Sequence, residues 1–497
     1  MSLHLVSVDL GAESGRVILG TLRGGKLRME VIHRFPTGAT EVNGTLRWNV
    51  IGFHGEILRG LAMVAARRLR IAGVSCDSWG VDYALCRDDA PLVSQPYQYR
   101  DPRTERTFGP AVRKVGRDAI YAETGVMFMG INTLYQLADD ARSRPELLKV
   151  AHRFLNIGDY FNWLLSGVPR AEVSLASTTQ LWNPRRGAWS ARIIRELGLP
   201  GHIFPLVVPS GTPLGKLRGV RGLESAQVIA SCSHDTGCAV AAVPTTGGDD
   251  WAYLSSGTWS LLGVELPRPL INAEVRAANL TNEAGFDGTT RLLKVLVGLW
   301  ILQECRREWE LEGGPTDYGV IAKLAAKAPS LRSLIRPDDA RFAAPGDMVR
   351  KVRDFCRETG QPVPASPGAI ARCILESLAL LYRNEVDAIE RLTGRTIRRL
   401  HVVGGGSRND LLNQATADAL GRVVVAGPTE ATAAGNLLIQ AHALGKVRGL
   451  AGIRKVVRAS FPGQTFKPRA SSRAAWDAAR IRFDALLRPK RARKASR

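Results

Sequence analysis

The chain has 497 residues, of which 45% are apolar, so it is too long for one hydrophobic core and predicts two large domains or three smaller ones. No stretch reaches the ~18 uninterrupted apolar residues that a membrane span needs. Asp9 interrupts the first apolar run too early for a signal peptide, and we therefore expect a cytoplasmic protein. Seven scattered cysteines without a Cys-x-x-Cys pair predict neither a disulfide framework nor a structural zinc site. Only Cys356 and Cys373, which bracket one loop, leave a pairing open.

The net charge of +22 raises the question of nucleic-acid binding. The basic excess is diffuse and concentrates only at 488–497, which predicts a disordered tail rather than a folded binding face. The sequence contains no helix-turn-helix, zinc-finger spacing or strand with paired aromatic residues. We therefore expect no nucleic-acid or membrane partner, and a polyanionic small substrate such as ATP explains some of the basic residues.

The first predicted element is a β-hairpin over LVSVDLGAESGRVILGTL. Its turn is explained by ordinary turn chemistry or, alternatively, by phosphate binding. Under the second interpretation, the small residues of the turn, Gly11, Ala12, Ser14 and Gly15, let backbone N–H groups converge on an anion. Ser14 adds a hydroxyl, Arg16 adds a planar cation, and Asp9 holds a metal ion through water.

Two polar and aromatic loops follow, DSWGVDYALC at 77–86 and QPYQYRDPRTE at 95–105. One interpretation is structural: Trp79 and Tyr83 are core residues, and Asp82 and Arg103 are surface residues. The alternative is a sugar site, because stacking rings and bidentate hydrogen-bonding groups suit sugar hydroxyls. The residues alone leave both interpretations open.

Asp235 stands in the segment SCSHDTG, where an apolar run ends and a helix is predicted to begin. It is either a helix cap or a proton acceptor. The Pro-, Gly- and Asp-rich stretch AAVPTTGGDDW at 241–251 predicts a domain boundary. We expect an N-terminal domain at 1–244, a C-terminal domain at 245–465, and a helix with a basic tail at 466–497.

The second half repeats the plan of the first. A second hairpin, WAYLSSGTWSLLGVEL, has a turn of small residues and hydroxyls at 255–258, and apolar periodicity predicts helices over 297–310 and 374–392. The segment LHVVGGGSRN then reads as a strand followed by three glycines at 404–406. Those glycines make a close strand-to-helix turn, or a backbone surface against which an adenine ring lies flat.

Seven motifs in this order, DLGAESGR, DSWGVD, YRDPRT, SHDTG, YLSSGTWS, GLWILQ and HVVGGGSRN, resemble the FGGY carbohydrate kinases. The resemblance extends from about residue 5 to about residue 465. It implies an α/β, two-domain, actin-like (ribonuclease-H-like) ATPase fold with ATP and sugar in an interdomain cleft. It also implies ATP- and Mg²⁺-dependent phosphorylation of the C1 hydroxyl of a ketose by a monomer or homodimer. An actin-like ATPase and a sugar-responsive regulator remain the alternatives of other classes.

The resemblance also implies roles for individual residues. Those implied for nucleotide binding are Ala12, Glu13, Ser14, Gly15, Arg16, Thr258, Gln303 and Gly405. Those implied for sugar binding are Gly80, His234, Asp235, Thr236 and Val295, with Asp235 as the catalytic base. At position 295 the most similar members carry Asn, whereas Val295 has no side-chain hydrogen bond to offer a hydroxyl. This departure leaves the identity of the ketose open.

Overall fold

The computed structural model describes residues 2–487, and the basic tail predicted at 488–497 lies outside these described residues. The strands are β1 (Leu3–Leu10), β2 (Ser14–Arg23), β3 (Lys26–Pro36), β4 (Thr40–Val42), β5 (Thr45–Arg47), β6 (Ile71–Ser78), β7 (Tyr83–Cys86), β8 (Arg153–Asn156), β9 (Ala171–Glu172), β10 (Trp182–Asn183), β11 (Ala188–Trp189), β12 (Val207–Val208), β13 (Thr212–Lys216), β14 (Gln227–Ala230), β15 (Trp251–Ser256), β16 (Trp259–Leu266), β17 (Thr281–Ala284), β18 (Thr290–Val297), β19 (Arg399–Val403), β20 (Val423–Ala426) and β21 (Gln464–Phe466). Both predicted hairpins are confirmed, as β1–β2 and β15–β16.

The helices lie between and after these strands. They are α1 (Val50–Ala65), α2 (Glu105–Val115), α3 (Arg117–Thr124), α4 (Thr133–Ser143), α5 (Pro145–Val150), α6 (Ile157–Ser166), α7 (Val173–Ala176), α8 (Ala191–Leu197), α9 (Asp235–Ala241), α10 (Ala273–Ala277), α11 (Trp300–Leu311), α12 (Tyr318–Lys327), α13 (Met348–Glu358), α14 (Pro367–Thr393), α15 (Asp410–Leu420), α16 (Ala431–Ala443), α17 (Gly449–Ser460) and α18 (Arg473–Leu487). Across the described part of the chain, none of them is both long and apolar enough to cross a membrane.

The chain forms two compact units, each built from three separate segments of the sequence. The first contains the described residues up to Gly247 together with Val264–Leu293 and Glu430–Pro462. The second contains Gly248–Gly263, Lys294–Thr429 and the described residues from Gly463. The chain first passes from one unit to the other between Gly247 and Gly248, inside the Pro-, Gly- and Asp-rich stretch at 241–251.

The first unit is built on a six-stranded sheet with the order β13-β14-β6-β1-β2-β3. β1 lies inside this sheet and is buried along most of its length, and five of its eight residues are apolar. Helix α1 buries Phe53, Ile57 and Leu61 in the core that also contains Val6 and Val8 of β1. Helix α16 packs against β1 and α9. A Cβ on Gly435 would lie 1.9 Å from the Cys238 carbonyl oxygen, so only glycine permits this helix approach.

The second unit contains strands in the order β16-β15-β19-β20-β21, with β15, β19 and β20 parallel. The helices predicted over 297–310 and 374–392 are confirmed as α11 and α14. α14 begins at Pro367 behind the Ser366 cap and ends before Gly394, which has a φ of +68°. All seven cysteines, including Cys356 and Cys373, are buried free thiols.

Candidate active site

The turn of the first hairpin is fixed by backbone and hydroxyl hydrogen bonds. The Gly11 N–H donates to the Ser14 carbonyl at 3.1 Å, and the Thr37 hydroxyl donates to the Gly11 carbonyl at 2.6 Å. Thr37 also donates its N–H to the Glu13 carbonyl at 3.2 Å. A Cβ on Gly15 would lie 2.4 Å from the Phe35 ring, so packing requires glycine there. The turn that contains Ala12, Glu13 and Ser14 is therefore held in one shape.

Arg16 does not stand as a free cation behind this turn. Its guanidinium pairs with the carboxylates of Asp9 and Glu430. Although burial opposes its charge, Asp9 and Glu430 raise the pKa of Arg16 above its ordinary value. Glu430 lies 414 residues away in the sequence and is a partner that sequence reasoning missed.

Three carboxylates of the first unit act on one another. Asp9 and Asp77 are the penultimate residues of the parallel strands β1 and β6, where they lie side by side, and both are buried. Burial raises the pKa of Asp77 well above its ordinary value, and the charge of Asp9 raises it further. Burial also raises the pKa of Asp9, and the charge of Asp235 adds to this effect. Asp77 Oδ2 accepts a hydrogen bond from Asn436 at 2.6 Å, whereas its buried Oδ1 has no partner among the described residues.

Asp235 is the first residue of α9, and the preceding residue His234 is the N-cap. Its Oδ1 accepts hydrogen bonds from the Thr236 N–H at 2.5 Å and from the Thr236 hydroxyl at 3.0 Å. Among the described residues no hydrogen bond reaches Oδ2, and the side chain is 29% exposed. One oxygen is thus committed to the helix start, and the other is left to meet a ligand.

A buried glutamate holds the backbone of this loop. Glu172 Oε2 accepts the Ser233 N–H at 2.9 Å and also the Ser174 hydroxyl. The same Ser174 hydroxyl oxygen accepts the His234 N–H at 3.0 Å. Burial raises the pKa of Glu172, and its hydrogen bonds oppose that effect. Sequence reasoning missed Glu172, because it lies about 60 residues before the loop that it supports.

Gly80 stands beside this loop, since the Ser78 N–H donates to the Ser233 carbonyl at 2.9 Å. A Cβ on Gly80 would lie 3.1 Å from Thr178 Oγ1. The next residue, Val81, has a φ of +69°, which is a strained conformation for a β-branched side chain. Such strain persists only where the surrounding contacts impose it, and here the Val81 carbonyl accepts the Thr133 hydroxyl at 2.6 Å.

Asp82 is fully buried and cannot face a sugar as a free carboxylate. Its Oδ2 accepts hydrogen bonds from the Trp48 indole at 2.6 Å, the Trp79 indole at 3.0 Å and the Tyr99 N–H at 3.1 Å. Gln136 donates to Oδ1 at 2.9 Å. Burial raises the pKa of Asp82 to about 6, although all four hydrogen bonds oppose that rise. Asp82 therefore fixes two indole rings whose centroids lie 4.2 Å apart.

Arg103 is also part of the interior. It donates to Asp140 at 2.6 Å and to Gln136 at 3.0 Å, and its guanidinium lies 3.9 Å from the centre of the Tyr97 ring. The Tyr83 hydroxyl donates to the other oxygen of Asp140 at 2.5 Å. The two loops that the sequence left open are thus joined by buried polar contacts, of which Gln136 is the common member.

In the second unit, the turn after β15 rests on the start of α11. The Leu299 N–H donates to the Gly257 carbonyl at 2.9 Å, and the Gly298 N–H donates to the Thr258 carbonyl at 3.1 Å. A Cβ on Gly298 would lie 2.7 Å from the Gly257 oxygen, so this approach needs glycine. Gln303 follows one turn later in α11, and its Oε1 is buried without a hydrogen-bond partner among the described residues.

The three glycines after β19 differ from one another. Gly404 has a φ of +83°, and a Cβ there would lie 3.0 Å from the Ser256 carbonyl oxygen. A Cβ on Gly406 would lie 2.0 Å from Ser256 Oγ, whereas Gly405 is exposed with no atom within 4 Å of its added Cβ. Because β15 and β19 are parallel neighbours, the turns with Thr258 and Gly405 lie at the same edge of the sheet.

Val295 lies in β18 and belongs to the second unit, as do Thr258, Gln303 and Gly405. Its side chain is half-buried and apolar. The remaining predicted site residues belong to the first unit, where Gly80, His234, Asp235 and Thr236 lie on neighbouring segments.

Comparison with known proteins identifies the family of the chain. The N-terminal domain of the FGGY family of carbohydrate kinases matches residues 4–242, and the C-terminal domain of that family matches residues 252–444. The chain belongs to the FGGY family of carbohydrate kinases. It is therefore a phosphotransferase that acts on an alcohol group of a sugar, and FGGY kinases use ATP as co-substrate.

Curated FGGY relatives match over nearly the full chain. A rhamnulokinase from Bacteroides thetaiotaomicron is 44% identical over 98% of this chain and 100% of its own length. A rhamnulokinase from Pectobacterium carotovorum is 42% identical over 99% of this chain and 98% of its own length.

Solved structures of a xylulose kinase and a glycerol kinase have the same fold. The xylulose kinase from Lactobacillus acidophilus has a TM-score of 0.80 at 16% identity and covers 97% of both chains. The glycerol kinase from Plasmodium falciparum, solved with ADP, has a TM-score of 0.77 at 13% identity and covers 98% of both chains. The predicted α/β, two-domain, actin-like fold is confirmed.

Proposed function

We propose that this FGGY kinase transfers the γ-phosphoryl group of ATP to the C1 hydroxyl of L-rhamnulose and forms L-rhamnulose 1-phosphate in rhamnose catabolism. The curated relatives at 44% and 42% identity support the choice of sugar. The observation that supports the chemistry is that the two oxygens of the Asp235 carboxylate differ in their hydrogen bonds. Oδ1 is held by Thr236, and Oδ2 is free among the described residues.

Asp235 acts in this proposal as the catalytic base. A carboxylate is a weak base toward an alcohol, but this suffices when the proton moves late, after O–P bond formation has acidified the hydroxyl. Phosphoryl transfer passes through a largely dissociative transition state, so orientation of the hydroxyl contributes more than its deprotonation. Gly80, His234 and Thr236 bind the sugar in the same proposal.

The nucleotide is proposed to bind Ala12, Glu13, Ser14 and Gly15 through the N–H groups of the first turn. Arg16 assists there, because Glu430 is 32% exposed and a phosphate oxygen can replace it on the guanidinium. Thr258 and Gln303 are proposed as nucleotide-binding residues of the second unit. Exposed Gly405 provides the surface for adenine, since no side chain approaches the place where its Cβ would be.

Mg²⁺ is proposed as the accompanying metal ion, and the donor set of the first unit fits it. The Asp77 Oδ1 atom is buried without a partner, and burial and neighbouring carboxylates raise the pKa values of Asp9 and Asp77. A hard cation would relieve that repulsion. Within residues 2–487 no three His, Cys, Asp or Glu side chains converge on one point. Asp9 would therefore hold Mg²⁺ through water, as this ion commonly is held beside nucleotide phosphates, where it neutralises developing charge.

Val295 favours a second candidate substrate. An apolar side chain at this position cannot hydrogen-bond a hydroxyl group, so a site that lacks this partner can prefer another ketose, such as one of the L-fuculose or L-xylulose type. The transferred group and the base remain the same in this alternative.

The test is ADP release over a panel of ketoses that includes L-rhamnulose, L-fuculose and L-xylulose, each with ATP and Mg²⁺. We expect the highest kcat/KM with L-rhamnulose and a 1-phosphate product in the ³¹P NMR spectrum. A higher kcat/KM with another ketose would overturn L-rhamnulose as the substrate and indicate that ketose instead. ADP release that no sugar stimulates would contradict it altogether.

A further inference from the structure

A buried ion pair lies behind His234 in the first unit. Glu283 of β17 and Arg291 of β18 stand directly opposite each other on the two antiparallel strands. Arg291 Nη2 lies 3.1 Å from Glu283 Oε2, and the two side chains are 0% and 7% exposed. Arg291 Nε also donates to the Ala284 carbonyl at 3.2 Å, which fixes the orientation of the guanidinium.

The imidazole of His234 links this pair to Asp235. Arg291 Nη2 lies 3.1 Å from His234 Nδ1, and Glu283 Oε2 lies 3.4 Å from the same nitrogen. On the other side of the ring, Nε2 lies 3.4 Å from Asp235 Oδ1. Catalytic hydrogen bonds of this length in a ligand-free site commonly shorten when substrate binds.

An arginine can only donate hydrogen bonds, because it keeps its proton at any physiological pH. The contact at 3.1 Å therefore requires a lone pair on Nδ1. A neutral imidazole that accepts at one nitrogen carries its proton on the other. The N–H of His234 is then on Nε2, which faces Asp235.

We propose that Arg291 and Glu283 are positioning residues that hold His234 in the neutral form protonated on Nε2, so that this N–H donates to Oδ1 of Asp235. The inference rests on the proposed role of Asp235 as base. Its consequence is that Asp235 meets an N–H dipole instead of an imidazolium cation. A full positive charge at this distance would lower the proton affinity of the base.

The charged groups around His234 explain why both residues are needed. Without Arg291, the negative charge of Glu283 would favour a second proton on His234, at Nδ1. Arg291 opposes this, because a protonated imidazole would then be a second cation in contact with its guanidinium. Arg291 alone would be an unpaired buried cation. On its own segment the His234 ring faces Asp235, and the backbone N–H of His234 donates to the uncharged Ser174 hydroxyl of α7 at 3.0 Å. Although burial opposes its charge, the adjacent Arg291 guanidinium lowers the pKa of Glu283 and favours its carboxylate form.

The first test reads the proton directly. Histidine labelled with ¹⁵N on both ring nitrogens gives separate signals for protonated and unprotonated nitrogens, and the protein has eight histidines to assign. A His234→Gln variant identifies the signals of His234. At pH 7 we expect Nδ1 unprotonated and Nε2 protonated in the unaltered protein. A proton on Nδ1 would overturn the proposal, and this readout requires no turnover and no knowledge of the sugar.

The second test uses three variants and the pH dependence of kcat. Arg291→Met leaves Glu283 to protonate Nδ1, so we expect kcat at pH 7 to fall about tenfold or more, with a smaller loss at pH 9 and little change in the KM for sugar. Glu283→Gln keeps Arg291 as the donor to His234 Nδ1, so we expect the pH profile of kcat to keep its shape. The double variant removes both the donor and the attracting charge.

The double variant separates positioning from a structural role. We expect the kcat of the double variant to be at least three times that of Arg291→Met, because His234 is neutral again. A pH-independent loss that is as large or larger in the double variant would overturn the proposal. If Arg291→Met does not fold, the ¹⁵N spectrum of the unaltered protein still decides. If Asp235→Asn retains turnover, the base assignment fails while the proton position remains as measured.

Discussion

Single side chains in the first unit carry distinct tasks that their residue types alone do not reveal. Asp235 uses one oxygen to begin a helix and presents the other, whereas Asp82 uses both oxygens to hold two indoles and a glutamine. Both are aspartates in short polar motifs, and nothing in their neighbouring residues separates the two roles. The difference is burial, since Asp82 is fully enclosed and Asp235 is 29% exposed.

Val295 provides the first prediction at this scale. Val295→Asn introduces an amide at the position where the resemblance to the FGGY kinases implies one. If L-rhamnulose is the substrate, one added hydrogen bond is expected to raise kcat/KM about fivefold, mostly through a lower KM. The coupled ADP-release assay measures this change. Val297→Asn, two residues later in the same strand, is the matched control and should give no gain. An unchanged or lower kcat/KM for Val295→Asn would remove position 295 from the sugar site.

Asp82 provides a prediction for pH dependence. Its pKa is about 6 in the folded protein, against 3.8 as the ordinary value. Because the folded value is the higher one, the neutral form is favoured on folding. The stability that this group contributes is full below pH 4 and is lost as pH rises through 6, by about 3 kcal/mol. Asp82→Asn cannot titrate, so the substitution should cost more at pH 4.5 than at pH 7.5.

Urea unfolding followed by tryptophan fluorescence measures this difference, with Trp48 and Trp79 as reporters beside the site. Asp89→Asn, on an exposed carboxylate of the same unit, is the control and should show no comparable increase in cost at low pH. A cost of Asp82→Asn that is equal at the two pH values, or larger at pH 7.5, would contradict the account of Asp82.

At the scale of elements, glycines allow turns to approach neighbouring backbone and side-chain atoms closely. Gly298 lets the start of α11 meet the turn after β15, and Gly404 and Gly406 let the turn after β19 meet Ser256. The sequence predicted both hairpins, the helices α11 and α14 and the glycine-rich turn, because these depend on local pattern. It could not say which of three successive glycines packs and which is open, since that depends on a strand about 150 residues earlier.

The adjacent Gly405 and Gly406 form a matched pair for a test. Gly405→Ala adds a methyl group into open space, so we expect an unchanged unfolding midpoint and a KM for ATP raised at least threefold if adenine lies there. Gly406→Ala places a Cβ 2.0 Å from Ser256 Oγ and should destabilise the protein by about 1–3 kcal/mol. Urea unfolding and ADP-release kinetics measure the two effects. A normal KM for ATP in Gly405→Ala would remove this glycine from the nucleotide site.

At the scale of the molecule, the chain returns to its first unit twice. Val264–Leu293 brings in Glu283 and Arg291, and Glu430–Pro462 brings in Glu430 and Asn436. No shift in composition marks these segments, so sequence reasoning placed them in a C-terminal domain and missed the residues that pair with His234, Arg16 and Asp77. Glu283 and Arg291 read as ordinary alternating positions of two strands. The domain limits of 244 and 465, the cytoplasmic location and the oligomeric state stay predictions.

The central claim is that Asp235 takes the proton of the sugar hydroxyl during phosphoryl transfer, and the kcat of Asp235→Asn tests it most directly. Asn keeps the shape of the side chain and an oxygen to accept the Thr236 N–H, so ATP and sugar should bind with affinities close to those of the unaltered protein. We predict that kcat with L-rhamnulose falls about 10²–10⁴-fold. A kcat within tenfold of the unaltered enzyme, with both substrates bound normally, would contradict the claim.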